Sequence, residues 1–426
     1  MKATGVRALK RKDLEWPMQT PVAWPVDRIK WSIAGLFAGT WGDDPNGVND
    51  LVCVRVADFD RTRLKVAEAP PTLRAIRPTE LAHRLLQSGD LLIEKSGGGD
   101  NQPVGCVVDF DHGFSAVCSN FIARMQPAAG MWPRYWTYVH AVLYSGRLNI
   151  PAIKQTTGIQ NLDTDAYFNQ RVPFPPQDVQ RAIADYLDQE TAQIDALIAA
   201  KELMLDLLAE KRLAIITHAV TRGLDPKVPL RDSGISWLRK IPAHWDKKRI
   251  AWLFRERDQR GEPDLPLLEV SINTGVVLRE FSAERIESTA ADFNTYKVAR
   301  RGDVVFNKMR MWQGAVGIAP EDGLVSPDYV VAAPIGSMSS AYSRLLFRTS
   351  AFSAECARYS HGIVWDRLRL YWEGFRDIEV PLPTYQEQID IADSIATETA
   401  KLDNLIAFTE ATISLLKERR GALIAA

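Results

Sequence analysis

Residues 173–216 read PFPPQDVQRAIADYLDQETAQIDALIAAKELMLDLLAEKRLAII and return as residues 381–424, PLPTYQEQIDIADSIATETAKLDNLIAFTEATISLLKERRGALI. The two align without a gap and agree at roughly 20 of about 44 positions, where chance gives two or three. One structural unit is used twice. Each copy opens on a proline pair, Pro173 and Pro175 or Pro381 and Pro383, which forbids helix just before the run. Apolar residues then recur at three and four: Ile183, Leu187, Ile194, Leu197, Ile198, Leu205, Leu208 and Ile215 in the first copy. Ile391, Ile395, Leu402, Leu405, Ile406, Ile413, Leu416 and Leu423 do the same in the second. This spacing predicts two long amphipathic helices. At 1.5 Å rise, about 40 residues make a rod of roughly 60 Å, which needs a partner along its apolar stripe. The twin is the obvious one.

A second repeat precedes each domain. Trp16, Pro21, Trp24, Arg28, Ile29 and Trp31 recur with the same spacing as Trp237, Pro242, Trp245, Arg249, Ile250 and Trp252. Tryptophans so placed are expected as core anchors rather than base-stacking platforms. Ahead of the first helix, from about 21 to 172, the text is mixed, with short β-branched runs such as LVCVRVADF and GCVVDF broken by Gly, Asp and Pro, and 242–380 repeats it, which predicts two strand-rich domains with some helix. The fold class expected is α+β, two strand-rich α/β domains separated by a spacer of two long antiparallel helices, with an internal pseudo-twofold repeat.

Inside the domains one frame is repeated with different contents. GDLLIEKSGGGDNQPVGCVV (89–108) and GDVVFNKMRMWQGAVGIA (302–319) both give a Gly-Asp turn, an apolar strand, a Lys, a polar loop, Val-Gly and a further strand. The first loop holds Lys95, Ser96, Asn101 and Gln102; the second holds Lys308, Arg310, Trp312 and Gln313. Farther on, Lys154, Gln155, Thr156 and Thr157 stand against Trp365, Arg367 and Arg369. Lys and Ser suit phosphate, while Asn and Gln pair bidentately with adenine and Arg with guanine. A solvated loop is the bland alternative for each residue alone. As sets, constant frames with varied polar tips are what two readers of different sequences need.

Charge does not decide the partner, since 52 Lys and Arg balance 53 Asp and Glu. The basic first residues, 1–20, are expected as a solvated arm. They lack the apolar core of a signal peptide, and no run of about 18 apolar residues occurs, so a cytoplasmic protein is expected. Cys53, Cys106, Cys118 and Cys356 are too dispersed for metal knuckles and suit buried thiols. No catalytic motif emerges. Asp264 and Glu269 in PDLPLLEVS lack the Lys of a metal nuclease, Ser271 standing there instead; a phosphate loop of the GxxxxGK[ST] kind is missing; and Gly97–Gly99 suit a hairpin. SPDY (326–329) lacks the Asn and second Pro of an adenine methyltransferase motif, and His83, His112, His140 and His361 show no ligand spacing.

The helical repeats, TRGLDPKVPLRDSGISWLRKIPAHW and GDVVFNKMRMWQGAVGI together closely resemble the specificity subunit of type I restriction-modification systems. The resemblance spans nearly the whole chain and implies an order of segments. After the arm come a first target-recognition domain (21–172), a central helical region (173–222), a linker (223–241), a second target-recognition domain (242–380) and a C-terminal helical region (381–426). It implies a non-catalytic reader of an asymmetric bipartite site in double-stranded DNA, with the polar tip residues contacting DNA. It also implies that the spacer helices dock methyltransferase (modification) subunits, through which restriction subunits join. This chain would then bind no cofactor, S-adenosylmethionine, ATP and Mg belonging to the partner subunits. A nucleic-acid enzyme with a cryptic site and a coiled-coil protein scaffold are the alternatives, separable by activity of the chain alone and by the salt dependence of DNA binding.

Overall fold

The computed structural model describes residues 21, 23–155, 158–279, 293–362 and 368–425. Seven helices occur among them: α1 (Pro133–Ser145), α2 (Thr164–Phe168), α3 (Gln177–Arg222), α4 (Ser340–Phe347), α5 (Ser350–Arg358), α6 (Trp372–Asp377) and α7 (Tyr385–Ala425). The chain divides into two compact units, 1–200 with 412–426, and 201–411. Both long helices pass from one unit into the other, so neither forms a domain of its own.

The first unit is built on a six-stranded sheet in the order Ile33–Ala38, Ile122–Pro127, Asp90–Glu94, Val107–Phe110, Lys65–Val66, Phe59–Asp60. Its central strands are buried along their whole length, with Leu91, Ile93, Val107 and Met125 packed on Trp136 and Val139 of α1 and on Ala184 of α3. Continuous apolar runs, rather than alternating ones, are what strands covered on both faces require. The second unit repeats this centre with four antiparallel strands in the order Phe254–Glu256, Tyr329–Pro334, Val304–Asn307, Val316–Ile318. Phe306, Phe347, Phe352 and Phe375 pack there with Tyr342 and with Ile391 and Ile395 of α7.

The lead-in repeat is also structural. Val26–Arg28 pairs antiparallel with Arg171–Pro173, and Asp246–Arg249 pairs the same way with Glu379–Leu382, so each domain's first strand closes on its last. Ile29 and Ile250 are fully buried. Trp245 is buried and donates its Nε1–H to Glu387 Oε1 at 2.9 Å. Trp31 and Trp252, expected as core anchors, are instead 57% and 73% exposed. They sit in short 3-10 turns, two residues past the buried Ile, which turns them outward. Trp16 lies outside the described residues. The stretch 223–241, expected as a linker, is also corrected. Leu230–Ile235 and Leu238–Pro242 form a β-hairpin with Ile235 and Ile241 buried, and Trp237 donates to the Glu379 carbonyl at 2.9 Å.

At the head of each long helix a buried glutamine fixes it to its own domain. Gln180 accepts from Trp132 N–H at 2.9 Å and Trp136 Nε1–H at 3.2 Å, and donates to the Pro175 carbonyl at 2.8 Å. Gln388, its repeat equivalent, accepts from Ser339 N–H at 2.7 Å and donates to the carbonyls of Ser337 and Pro383 at 3.1 and 3.0 Å.

Beyond the glutamines the buried seam positions step mostly by three and four, with wider gaps after Ile198 and Leu402. In α3 they are Ala184, Leu187, Thr191, Ile194, Ile198 and Leu208; in α7 they are Gln388, Ile391, Ile395, Thr399, Leu402, Thr409 and Ile413. Ile183, Leu205 and Leu416 are half-buried beside them. This is the 3.5-residue repeat of a coiled-coil seam. The threonines tolerate it because Thr191, Thr399 and Thr409 each return their hydroxyl to the carbonyl four residues back. Leu197 and Leu405, expected in the packing stripe, are 53% and 36% exposed. The seam selects Ile198 and its equivalent Ile406, and the residue before each lies about 100° around the helix.

The helices run antiparallel within each unit. In the first unit Arg420 of α7 meets Asp195 of α3 at 2.8 Å, and Leu423 packs near Leu187. In the second, Arg212 of α3 meets Asp403 of α7. Arg212 and Arg420 are equivalent positions of the repeat, as are Asp195 and Asp403, so one ion pair is made twice with its halves exchanged.

Candidate nucleic-acid interface

The two Gly-Asp turns are built alike. Gly89 and Gly302 both have φ +92°, a conformation that side chains rarely adopt. The following aspartate accepts from the amide three residues back, Gln87 N–H at 2.6 Å for Asp90 and Arg300 N–H at 2.8 Å for Asp303. Each buried carboxylate is held by an arginine, Asp90 by Arg124 of the neighbouring strand at 2.6 Å and Asp303 by Arg257, just past the strand Phe254–Glu256, at 2.7 Å. Both strands then arrive at a lysine whose carbonyl accepts from a later segment: Leu162 N–H to Lys95 O at 2.8 Å, and Leu370 N–H to Lys308 O at 2.9 Å. The frame is shared down to a single hydrogen bond.

Beyond it the two copies diverge. In the first unit, Ser96–Gly97 joins Gln160–Leu162 and Ile153–Gln155 in a three-stranded sheet. Register places Lys154 opposite Asn161 and Asn161 opposite Ser96, so the loop at 95–102 and the segment at 153–155, more than fifty residues apart, form one surface. Ser96 Oγ–H donates to Asn161 Oδ1 at 2.7 Å. Gln155 is exposed, as are Asn101 and Gln102 at the hairpin tip, and Lys95 is half-buried. Gly97 and Gly98 have positive φ in this hairpin, as expected of the triple glycine. Lys154 is exposed and ion-paired with Asp163 at 2.7 Å. That hydrogen bond raises the lysine's pKa and lowers the aspartate's. Asn161 was missed from the sequence, although the alternation of Gln160, Asn161 and Leu162, in-out-in, marks it.

In the second unit the loop turns tightly through Met311–Gln313, with Met311 buried as its anchor and Gly314 at φ +87° as its exit. Arg310 and Gln313 are exposed, and Trp312 donates Nε1–H to the Met309 carbonyl at 3.0 Å. Arg369 bridges His361 at the next segment and is exposed, so it joins this loop through the neighbouring Leu370. Lys308 lies 5.7 Å over the ring of Tyr371 and 3.5 Å from Asp328. Tyr371 and Asp328 are further members that the sequence reading lacked. Thr156, Thr157, Trp365 and Arg367 lie outside the described residues.

Several buried ionisable groups elsewhere have partners. Burial raises the Glu94 pKa against the opposing pull of Arg61 at 2.7 Å, and Asp109 is raised likewise beside Arg134 at 3.1 Å. His140 is fully buried with Nδ1 2.7 Å from the Tyr167 hydroxyl, and burial lowers its pKa to about 3. Burial pushes the thiols of Cys53 and Cys106 up to about 11 and that of Cys118 to about 12. Glu269 is exposed on the strand Leu268–Ser271, and among the described residues no cluster of His, Cys, Asp and Glu could hold a metal ion. Among those residues no helix is long and apolar enough to cross a membrane.

No protein-family model and no curated protein matches the sequence. Solved structures do match in fold. The HsdS subunit from Thermoanaerobacter tengcongensis aligns over 96% of this chain and 97% of its own, with TM-score 0.56 and 15% identity. A chain from a structure that describes complex assembly and conformational transition of the type I R-M system aligns over 96% of this chain and 98% of its own, with TM-score 0.62 and 16% identity. The likeness is one of fold, and it takes in both units and both long helices.

Proposed function

We propose that this chain is the DNA-reading specificity subunit of a type I restriction-modification system. It recognises an asymmetric, two-part site in double-stranded DNA. The observation that carries the proposal is the shared frame with unlike tips. Leu162 on Lys95 and Leu370 on Lys308 anchor the same scaffold, while Asn101, Gln155 and Asn161 are exposed in one copy and Arg310, Gln313 and Arg369 in the other. Amide side chains select adenine and arginine selects guanine, so the two tips specify different half-sites. The fold shared with an HsdS subunit supports the same assignment.

In this role the chain carries out no chemistry. Two modification subunits, one for each repeat, dock on it and transfer methyl groups to adenine, and restriction subunits join through them. S-adenosylmethionine, ATP and Mg are bound by those partners, and the complex acts in the cytoplasm. The test is a genome-wide map of methylated adenine in cells with and without this chain. Loss of methylation at one bipartite, asymmetric motif is expected. An unchanged map would overturn the proposal.

A further inference from the structure

The second unit contains a cleft of about 1540 Å³ between the C-terminal part of α3, helices α4 and α5, and the loop that carries Trp312 and Gln313. Its wall holds four arginines, Arg212, Arg301, Arg344 and Arg348, and no aspartate or glutamate. Arg212 is neutralised by Asp403. The other three have no ion-pair partner among the described residues. Arg348 is held by backbone alone, donating to the carbonyls of Val316 at 3.1 Å and of Ile272 and Asn273 at 2.8 Å each. Its neighbour one turn earlier, Arg344, is exposed, as is Arg301.

Like charges four residues apart on a helix are destabilising. Burial first, and Arg344 second, lower the pKa of Arg348. The C-terminal end of α4 favours one cation and leaves the remaining concentration unexplained. Ser350 and Ser353, from the first turn of the nine-residue α5, line the same cleft and add hydroxyl donors. A concave wall of unneutralised guanidinium groups and hydroxyls is a site for an anion. The cleft is larger than the roughly 300–1,000 Å³ of a small-molecule pocket, so a lone small anion would leave it mostly unfilled. An extended chain of anions fits better.

We infer that this cleft is a DNA-backbone site, in which Arg301, Arg344 and Arg348 meet phosphates of the strand that runs past the 308–313 loop. The inference rests on the DNA-reading function proposed above and adds to it where the backbone lies. Trp312 and Gln313 sit at once on the cleft wall and on the loop that carries Arg310. A strand seated here therefore presents its bases to that loop.

The experiment uses the full chain assembled with its modification subunits. It measures binding to a cognate duplex and to an unrelated duplex of equal length across about 50 to about 200 mM salt, the range in which phosphate contacts separate most clearly. Arg301→Gln and Arg344→Gln are made singly and together; Arg348 is left in place because it holds the 272–273 and 316 backbone. The expected result is equal weakening on both duplexes, with the slope of log affinity against log salt reduced by about 0.9 per arginine and by about 1.8 in the double variant. An unchanged slope in a double variant of wild-type melting temperature overturns the inference. Lost assembly with the modification subunits at an unchanged DNA slope also overturns it and assigns the cleft to an acidic protein segment. Equal binding of both duplexes by the unaltered complex would instead defeat the base-reading function, while a reduced slope in the variants would still support the cleft.

Discussion

Gln180 and Gln388 are single residues on which the joint between domain and helix depends. Each is buried and makes three hydrogen bonds there. Gln180→Leu leaves the Trp132 amide and the Trp136 indole N–H unpaired, at about 1–3 kcal/mol for each buried group. Denaturant unfolding of the full chain is expected to show the first unit weakened by about 3 kcal/mol, and Gln388→Leu the second by a similar amount; a loss below about 0.5 kcal/mol would mean the clamps are dispensable. The seam makes a sharper comparison. Ile194→Ala removes a buried side chain and should cost about 2–5 kcal/mol, while Leu197→Ala should stay within about 0.5 kcal/mol although both belong to the same apolar stripe of the repeat. Equal effects would contradict the assigned seam. Sequence reading could not separate Leu197 from Ile198 because both are apolar and adjacent, and only the choice between a 3.5 and a 3.6 period, set by the partner helix, decides which turns inward. The same limit applies to Trp31 and Trp252. Their spacing was legible, but exposure depends on a 3-10 turn that no pattern announces.

Among the elements, the paired strands around each Gly-Asp turn were the most legible, because glycine at positive φ, aspartate as cap and a continuous apolar run agree with one another. The hairpin at 230–242 was not. Its glycine and prolines read as a connection, whereas they punctuate two short strands whose inward residues, Ile235 and Ile241, are too few to give a periodic signal. The polar tips were found as sets, and the structure supplied what linear order conceals, the register that puts Ser96, Asn161 and Lys154 in one row. At this scale the tips should act separately. Gln155→Ala is expected to relax base preference at one position of the first half-site, and Arg310→Ala at one position of the second, each by about 1–3 kcal/mol of discrimination. Selection of bound sequences from a random duplex pool checks both. A variant that binds less tightly but keeps its preference would reassign that residue to the backbone.

At the scale of the molecule, α3 and α7 extend 46 and 41 residues, roughly 69 and 62 Å at 1.5 Å per residue. If the helices set the distance between half-sites, removing one heptad from each keeps the seam in register and shortens the rods by roughly 10 Å, about three base pairs of duplex. The methylated motif should keep both half-sites and lose about three positions between them. The same motif length in this variant would show that the helices do not measure. The exchanged ion pairs carry one more consequence. Asp195 and Arg212 stand on the same helix, and each finds on α7 the counterpart of the other. A chain stopped after Arg222 retains both charges and the complete α3 seam. Two such halves can therefore clasp each other, the Arg212 of either one reaching the Asp195 of its mate. On the proposed function, such a homodimer would carry two identical tips, and its expected target is a site whose two halves have the same sequence.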